Sequence, residues 1–243
     1  MRNNIKFLCV AALLSAVAFF TPQEVSAQSK TGEISYSKGQ DLQSALSDTV
    51  VFALREFSDG RVFFKDMSSY SAKLNISNLE QCVKFIDPAG GDTLNVANES
   101  EIAYVIAANK TFYKTRFGYA QVLKYSGSCL FCFVKDLSVE QLQSMTSYGR
   151  IPATSTAKTV NALNDIAGAN SGNVGKNMDL KYNMRLLPVL INGNKVMVST
   201  RKAFMKAFPD KKDHIKQLAQ ETKTDFGDVV SAYNFFNILT GQE

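Results

Sequence analysis

Groups that perform covalent chemistry are scarce in this chain. Histidine occurs once in 243 residues, at His214, and cysteine four times. A lone histidine removes the usual general base from a serine or cysteine nucleophile mechanism. Cys9 lies in an apolar N-terminal run behind Ile5-Lys6-Phe7-Leu8, the wrong surroundings for lipid attachment. Cys82, Cys129 and Cys132 remain, an odd and small number that argues against a disulfide-built scaffold. A hydrophobic core must therefore do the stabilising. Charge is sparse as well: 20% of residues are charged, the formal balance is +5, and basic residues cluster only briefly, as at Lys211-Lys212. A nucleic-acid surface concentrates its cations on one face, so no nucleic-acid partner is expected.

Long apolar runs are missing outside the first 27 residues. There, Arg2 and Lys6 precede an unbroken apolar stretch from Phe7 to Phe20, and Val25-Ser26-Ala27 supplies the small-residue pattern cut by signal peptidase. The stretch is short for a bilayer and a polar segment follows, so it reads as a removed leader, with no transmembrane segment afterwards. The expected location is outside the cytoplasm: periplasmic, outer-membrane-associated or extracellular. With 45% apolar residues, the remainder has the composition of a folded protein.

Residues 28–48 are polar and read as a loosely held lead-in, with a helical turn over Asp41–Leu46. Residues 49–145 carry short β-favouring runs broken by turn residues. Ser58-Asp59-Gly60 between apolar runs is a hairpin signal, because both central turn positions favour positive φ. Tyr70 to Ser77 alternates apolar and polar, a strand with one wet face. Pro88-Ala89-Gly90-Gly91, Asn109-Lys110 and Ser126-Gly127-Ser128 mark further turns. Connections this short allow only antiparallel neighbours. Ser138 with Gln141 forms a capping box for a short helix over Ser138–Leu142. Residues 146–180 form a long polar loop with a short helix near Val160 to Ala167. Residues 181–243 hold a hairpin around Asn192-Gly193 and three helices: Arg201–Phe208, Lys211–Glu221 capped by Asp210, and Asp228–Leu239. Pro188 lacks a donor N–H and places its strand at a sheet edge. The expected fold class is α+β: an antiparallel meander, sandwich-like or strongly curled, then a hairpin and C-terminal helices packed on the sheet.

Cys129 and Cys132 form C-x-x-C, but Leu130-Phe131 between them read as strand. Extended residues three apart lie about 10 Å from each other and point to opposite faces, beyond the roughly 7 Å a disulfide spans. Buried thiols are expected, with a bridge from Cys82 to one of them as the alternative. The same geometry splits any zinc site with His214, so neither metal nor cofactor is expected. Asp87 and Asp92 flank a tight turn, where turn chemistry accounts for them better than catalysis. Phe112 to Tyr119 interleaves aromatics with cations. Tyr113, Arg116 and Tyr119, with Tyr148 and Arg150 opening the polar loop, are the candidate binding residues, able to stack sugars or contact a polymer or protein. The competing account is a strand with its rings in the core and its cations in water.

The run Phe85-Ile86-Asp87-Pro88-Ala89-Gly90-Gly91-Asp92-Thr93-Leu94, with Ile102 and Val105, resembles exported β-rich proteins of gut Bacteroidales. The closing Phe208-Pro209-Asp210-Lys211-Lys212 and Thr224-Asp225-Phe226 are similar to that group too. The resemblance implies a Gram-negative envelope or secreted setting and carries over no catalytic residue. The expected function is non-catalytic binding of a glycan, another polymer or an envelope protein. The alternatives are a carboxylate-dependent hydrolase of carbohydrate or peptidoglycan and a structural envelope subunit.

Overall fold

β-favouring runs joined by turns of a few residues leave no room for crossovers. The computed structural model, which describes residues 29–37, 41–141 and 178–241, resolves these runs into one antiparallel sheet. Its strands are β1 (Lys30–Tyr36), β2 (Ser58–Phe64), β3 (Ser69–Ser77), β4 (Cys82–Ile86), β5 (Thr93–Asn95), β6 (Ile102–Ala107), β7 (Lys110–Thr115), β8 (Gly118–Ser126), β9 (Cys129–Gln141), β10 (Met178–Asn192) and β11 (Lys195–Val198). The helices are α1 (Leu42–Ala45), α2 (Asp48–Val51), α3 (Arg201–Ala207), α4 (Lys212–Glu221) and α5 (Val229–Thr240). The spatial order is β1-β10-β9-β8-β7-β6-β2-β3-β4-β5, with β11 paired to β10. The expected α+β meander is what forms, in its strongly curled version and without ladder closure.

Alternation gives the sheet two faces. Paired residues share a face, so Leu94, Phe85 and Leu74, and farther along the strands the row Val62, Val105, Phe112, Gln121 and Phe133, lie on the inner one. Three apolar clusters cover this face. At β9 and β10, Phe131, Phe133 and Leu190 lie under Phe204, Ile215, Phe235 and Phe236 of the C-terminal helices. Beside them, Leu42, Leu46, Val50 and Val51 from α1 and α2 cover Val139 and Leu180. The third cluster fills the curl of β2 to β8 around Val62, Val105, Phe112 and Leu54. On the outer face, Ala120, Cys132, Val134 and Val189 are packed with Phe117, Leu187 and Val196.

Helix ends follow local chemistry. Thr200 accepts the Ala203 amide at 3.0 Å and Asp228 accepts the Ser231 amide at 2.8 Å, each fixing a helix start. Asp210 does not cap α4; it sits in a 3-10 turn, Pro209–Lys211, imposed by the proline.

Several local expectations yield to tertiary pairing. Asp59-Gly60 is no turn but the interior of β2, where Gly60 meets β6 so closely that a Cβ would stand 2.6 Å from the Ile106 carbonyl oxygen. The turn falls later, at Lys65 to Ser68, with Met67 at φ 69° and the Asp66 carboxylate accepting the Ser68 amide at 2.9 Å. Val50-Val51 is helical rather than strand. The lead-in is not loose: β1 pairs along seven residues of β10. Ser138 to Gln141 continues β9, because Leu180 to Asn183 offers a full ladder that outcompetes a capping box. β10 is not an edge strand: β9 lies on one side, with β1 and β11 along different stretches of the other. The Pro188 carbonyl accepts the Ser199 amide at 2.8 Å, so its nitrogen faces the gap between β1 and β11, where no donor is required. The leader, the helix near Val160, and Tyr148 and Arg150 lie outside the described residues.

All three described cysteines are free, and the alternative bridge to Cys82 does not form. Cys129 faces the helices and Cys132 the outer cluster, as strand alternation requires. Burial pushes the Cys129 thiol up to about 11, and burial with the neighbouring Glu80 pushes Cys82 up to about 12. Such thiols are packing groups.

Phe204 is fully buried, with ring centroids of Phe235 at 4.9 Å and Phe226 at 5.4 Å. Phe204→Ala is expected to cost about 3–5 kcal/mol in urea unfolding. A loss below about 1 kcal/mol would show that the helices do not share the sheet's core.

Candidate functional site

The segment Phe112 to Tyr119 splits between the two faces. Phe112 is core. Tyr119 and Lys114 are cross-strand partners on the inner side, whereas Tyr113 pairs with Ala120 on the outer side. Arg116 stands at the tip of the β7–β8 turn, its guanidinium 4.7 Å from the Phe117 ring centre and its Nη2 donating to the Val196 carbonyl at 3.3 Å. Tyr113, Arg116 and Tyr119 are therefore three separate environments.

Tyr119 belongs to a seam. Curling brings β4 opposite β8, five places away in the sheet order, and side chains bridge them. Glu99, in a 3-10 turn before β6, accepts the Val83 amide with one carboxylate oxygen. Its other oxygen accepts Lys114 Nζ and, at 2.6 Å, the Tyr119 hydroxyl. Gln81 donates to the Asn78 carbonyl at 2.7 Å and accepts the Tyr119 amide at 3.1 Å. Lys135 Nζ donates to the Ala53 carbonyl at 2.9 Å, and the Ala53 amide reaches Ile76 of β3 at 2.9 Å. Two buried asparagines complete the join: Asn75 exchanges hydrogen bonds with both backbone groups of Leu54, and Asn78 donates to the Val50 carbonyl. Nearby, Glu80 holds Lys84 at 2.7 Å and accepts the Cys82 thiol at 3.2 Å. These carboxylates are committed to local partners. Asp87 likewise accepts the Ala89 amide at 3.0 Å, which is turn chemistry.

The outer face carries a different assembly. Phe63 of β2, Tyr104 of β6 and Tyr113 of β7 stand side by side in one cross-strand row. Phe63 and Tyr104 are stacked at 4.5 Å with 17° between their planes, and Tyr104 and Tyr113 are tilted at 5.6 Å. All three are half-buried. Arg61 lies 5.9 Å from the Phe63 ring centre and donates Nε to the Ser71 hydroxyl at 3.0 Å. Ile106, 38% exposed, sits in the next row. Burial, then the adjacent Tyr104, raises the Tyr113 hydroxyl above the usual tyrosine range. A β-bulge at Ala103 of β6, opposite the Phe63–Phe64 step, turns Ile102 to the core, ending the row.

Strand alternation places Phe63 and Tyr104 opposite the core residues Val62 and Val105. The pairing of Tyr104 with Tyr113 follows from the tight turn at Ala108-Asn109, whose positive φ values of 49° and 58° pair residues equidistant from it. The Glu99 seam had no such signal, because Glu99 lies 16 and 20 residues from Val83 and Tyr119.

A shallow hollow of about 610 Å³ lies at the start of α4, lined by Lys211, His214 and Leu239 among others. Acidic and basic side chains alternate around it. Among the described residues, no three His, Cys, Asp or Glu side chains converge on a metal position, and no helix is long and apolar enough to cross a membrane. No family model, curated protein or solved structure matches the chain.

Glu99→Ala leaves the Val83 amide and Lys114 without their acceptor and is expected to cost about 2–3 kcal/mol; chemical denaturation measures it, and an unchanged midpoint would refute the seam. Burial, and then the bond to Glu99, hold the Tyr119 phenol far above the usual tyrosine range. Because the folded value is raised, this contribution is fully present below about pH 10 and lost as pH rises beyond it. Tyr119→Phe should reduce the alkaline fall in stability, leaving the part due to Tyr113 and the buried thiols.

Proposed function

We propose that this is an exported, non-catalytic binding protein of the cell envelope or its surroundings, and that the Phe63–Tyr104–Tyr113 row with Arg61 docks a protein partner. The leader pattern and the Bacteroidales resemblance support the location. The ring geometry carries the choice of partner. A sugar-stacking platform needs aromatic faces turned to solvent. Here the faces of Phe63 and Tyr104 are spent on each other at 4.5 Å, and the outer side of Phe63 lies beside Arg61. What remains for a ligand is ring edges, two hydroxyls and a guanidinium, the side chains enriched at protein interfaces. Tyr113 is kept from the sequence-based set, Tyr119 serves the seam, and Arg116 fastens a turn.

Two measurements test this reading. Fractionation of expressing cells should place a chain starting at Gln28 outside the cytoplasm. Crosslinked envelope extract and a glycan array are then presented to the wild type and to Tyr104→Ala/Tyr113→Ala. The wild type should capture a discrete protein that the variant loses by about thirtyfold, equivalent to about 2 kcal/mol, while Tyr119→Phe retains it. A glycan signal sensitive to Tyr113 would instead restore the sugar-binding reading, and equal capture by all forms would remove the row from the function.

A further inference from the structure

β3 is paired unequally on its two sides. Toward β2 it pairs from Ser69 to Leu74, while toward β4 pairing begins only at Leu74 and runs to Ser77. In an antiparallel strand, successive residues aim their N–H and C=O alternately at the two neighbours. The hairpin bond from the Phe64 amide to the Ser68 carbonyl, 3.0 Å, sets the phase. Ser68, Tyr70, Ala72 and Leu74 point to β2, so Ser69, Ser71 and Lys73 point the other way. Among the described residues, no strand stands on that side of Ser69 or Ser71, while Lys73 lies opposite Ile86, the last residue of β4.

Apart from its shortness and the adjoining Lys73, the open stretch has none of the usual protections. It contains no proline, and its register with β2 is uninterrupted by a bulge. Ser69, Tyr70, Ser71 and Lys73 are exposed, Tyr70 at 44%. By contrast, β5 offers an edge of three residues, and β1 lies at the opposite end of the sheet. The open stretch also adjoins the aromatic row: Ser69 is the cross-strand partner of Phe63, and Ser71 that of Arg61.

We propose that Ser69–Ala72 of β3 receives an extended segment of a partner protein as an added strand. This rests on the outer face being a protein-docking surface and names the mode of docking. Ser69 and Ser71 offer two donors and two acceptors, repeating every two residues or about 6.8 Å, which match the main chain of another strand. The flanking side chains state what that strand carries. On the outer face its residues lie beside Ser69 and Ser71, over which Arg61 reaches from β2 to bond the Ser71 hydroxyl, and a carboxylate there can approach the guanidinium. On the inner face they lie beside Tyr70 and Phe85, whose rings meet edge to face at 5.9 Å where β3 and β4 separate, and an apolar side chain fits. The occupant is an extended peptide alternating acidic and apolar residues.

The probe is a phage-displayed library of random linear peptides, selected on the full wild-type chain. Selected peptides should alternate acidic and apolar residues and protect the Ser69 and Ser71 amides from hydrogen exchange. Ser71→Pro removes an N–H that β2 does not use and should weaken binding at least tenfold, while Ser71→Ala, lacking only the hydroxyl, should bind nearly as well. If Ser71→Pro lowers the melting midpoint, amide protection in the wild type decides alone. Failure to enrich any peptide, unchanged binding by a folded Ser71→Pro, or unprotected edge amides would overturn the proposal. Loss with Tyr104→Ala/Tyr113→Ala alone would keep the docking surface and remove strand addition. Loss with Ser71→Pro alone would keep strand addition and remove the aromatic row.

Discussion

The fold depends on how a curled sheet closes when no backbone edge is available for closure. β8 already has β7 and β9 as partners, so β4 cannot join its ladder when the curl brings them together. Side chains take the place of a ladder. Glu99 accepts the Val83 amide on one side and Lys114 and Tyr119 on the other, while Gln81 and Lys135 tie the neighbouring backbone. A carboxylate in this position satisfies a strand N–H that would otherwise be unpaired next to an apolar cluster, a costly arrangement. The core around Val62, Val105 and Phe112 is enclosed by this seam, and the orientation of the outer face follows from it.

Closure by side chains separates two tasks. Among the described residues, the inner face carries the large covering elements, from α1 and α2 to the C-terminal helices, and so supplies much of the stability. The outer face of β2, β6 and β7 is left with half-buried rings and an arginine. An aromatic row in a sheet stabilises cross-strand pairing whether or not anything binds it. Its functional reading rests on its neighbours: an open main-chain edge, an exposed Tyr70 and an exposed Ile106. The proposed preference for polypeptide over sugar rests on the Phe63 and Tyr104 ring faces being stacked on each other.

Legibility differed between elements for identifiable reasons. The turns at Pro88 to Gly91 and around Asn192-Gly193 are local, so a few residues suffice to read them, while the one read at Asn109-Lys110 falls one residue earlier, at Ala108-Asn109. Asp59-Gly60 misleads because the same two residues suit a turn or a close strand crossing, and only the Ile106 carbonyl opposite Gly60 distinguishes the two. Pro188 misleads because a strand can be central along one stretch and open along another. Of the candidate binding residues, Tyr113 stands in the aromatic row, Tyr119 is a seam residue, and Tyr148 and Arg150 lie outside the described residues. Phe63, Tyr104 and Arg61 were out of reach until the hairpin registers placed them in adjacent rows.

Composition, alternation and turn residues by themselves determined an antiparallel meander finished by helices, and thiols on opposite faces of one strand. Those features depend on backbone sterics and on hydrogen bonds spanning a few residues. Only the tertiary structure decided that the sheet curls onto itself, that Glu99 joins strands far apart in order, and that β3 is left half-paired. Those outcomes depend on which distant strand occupies each side of a ladder, a competition settled by packing and solvent exclusion over the whole chain.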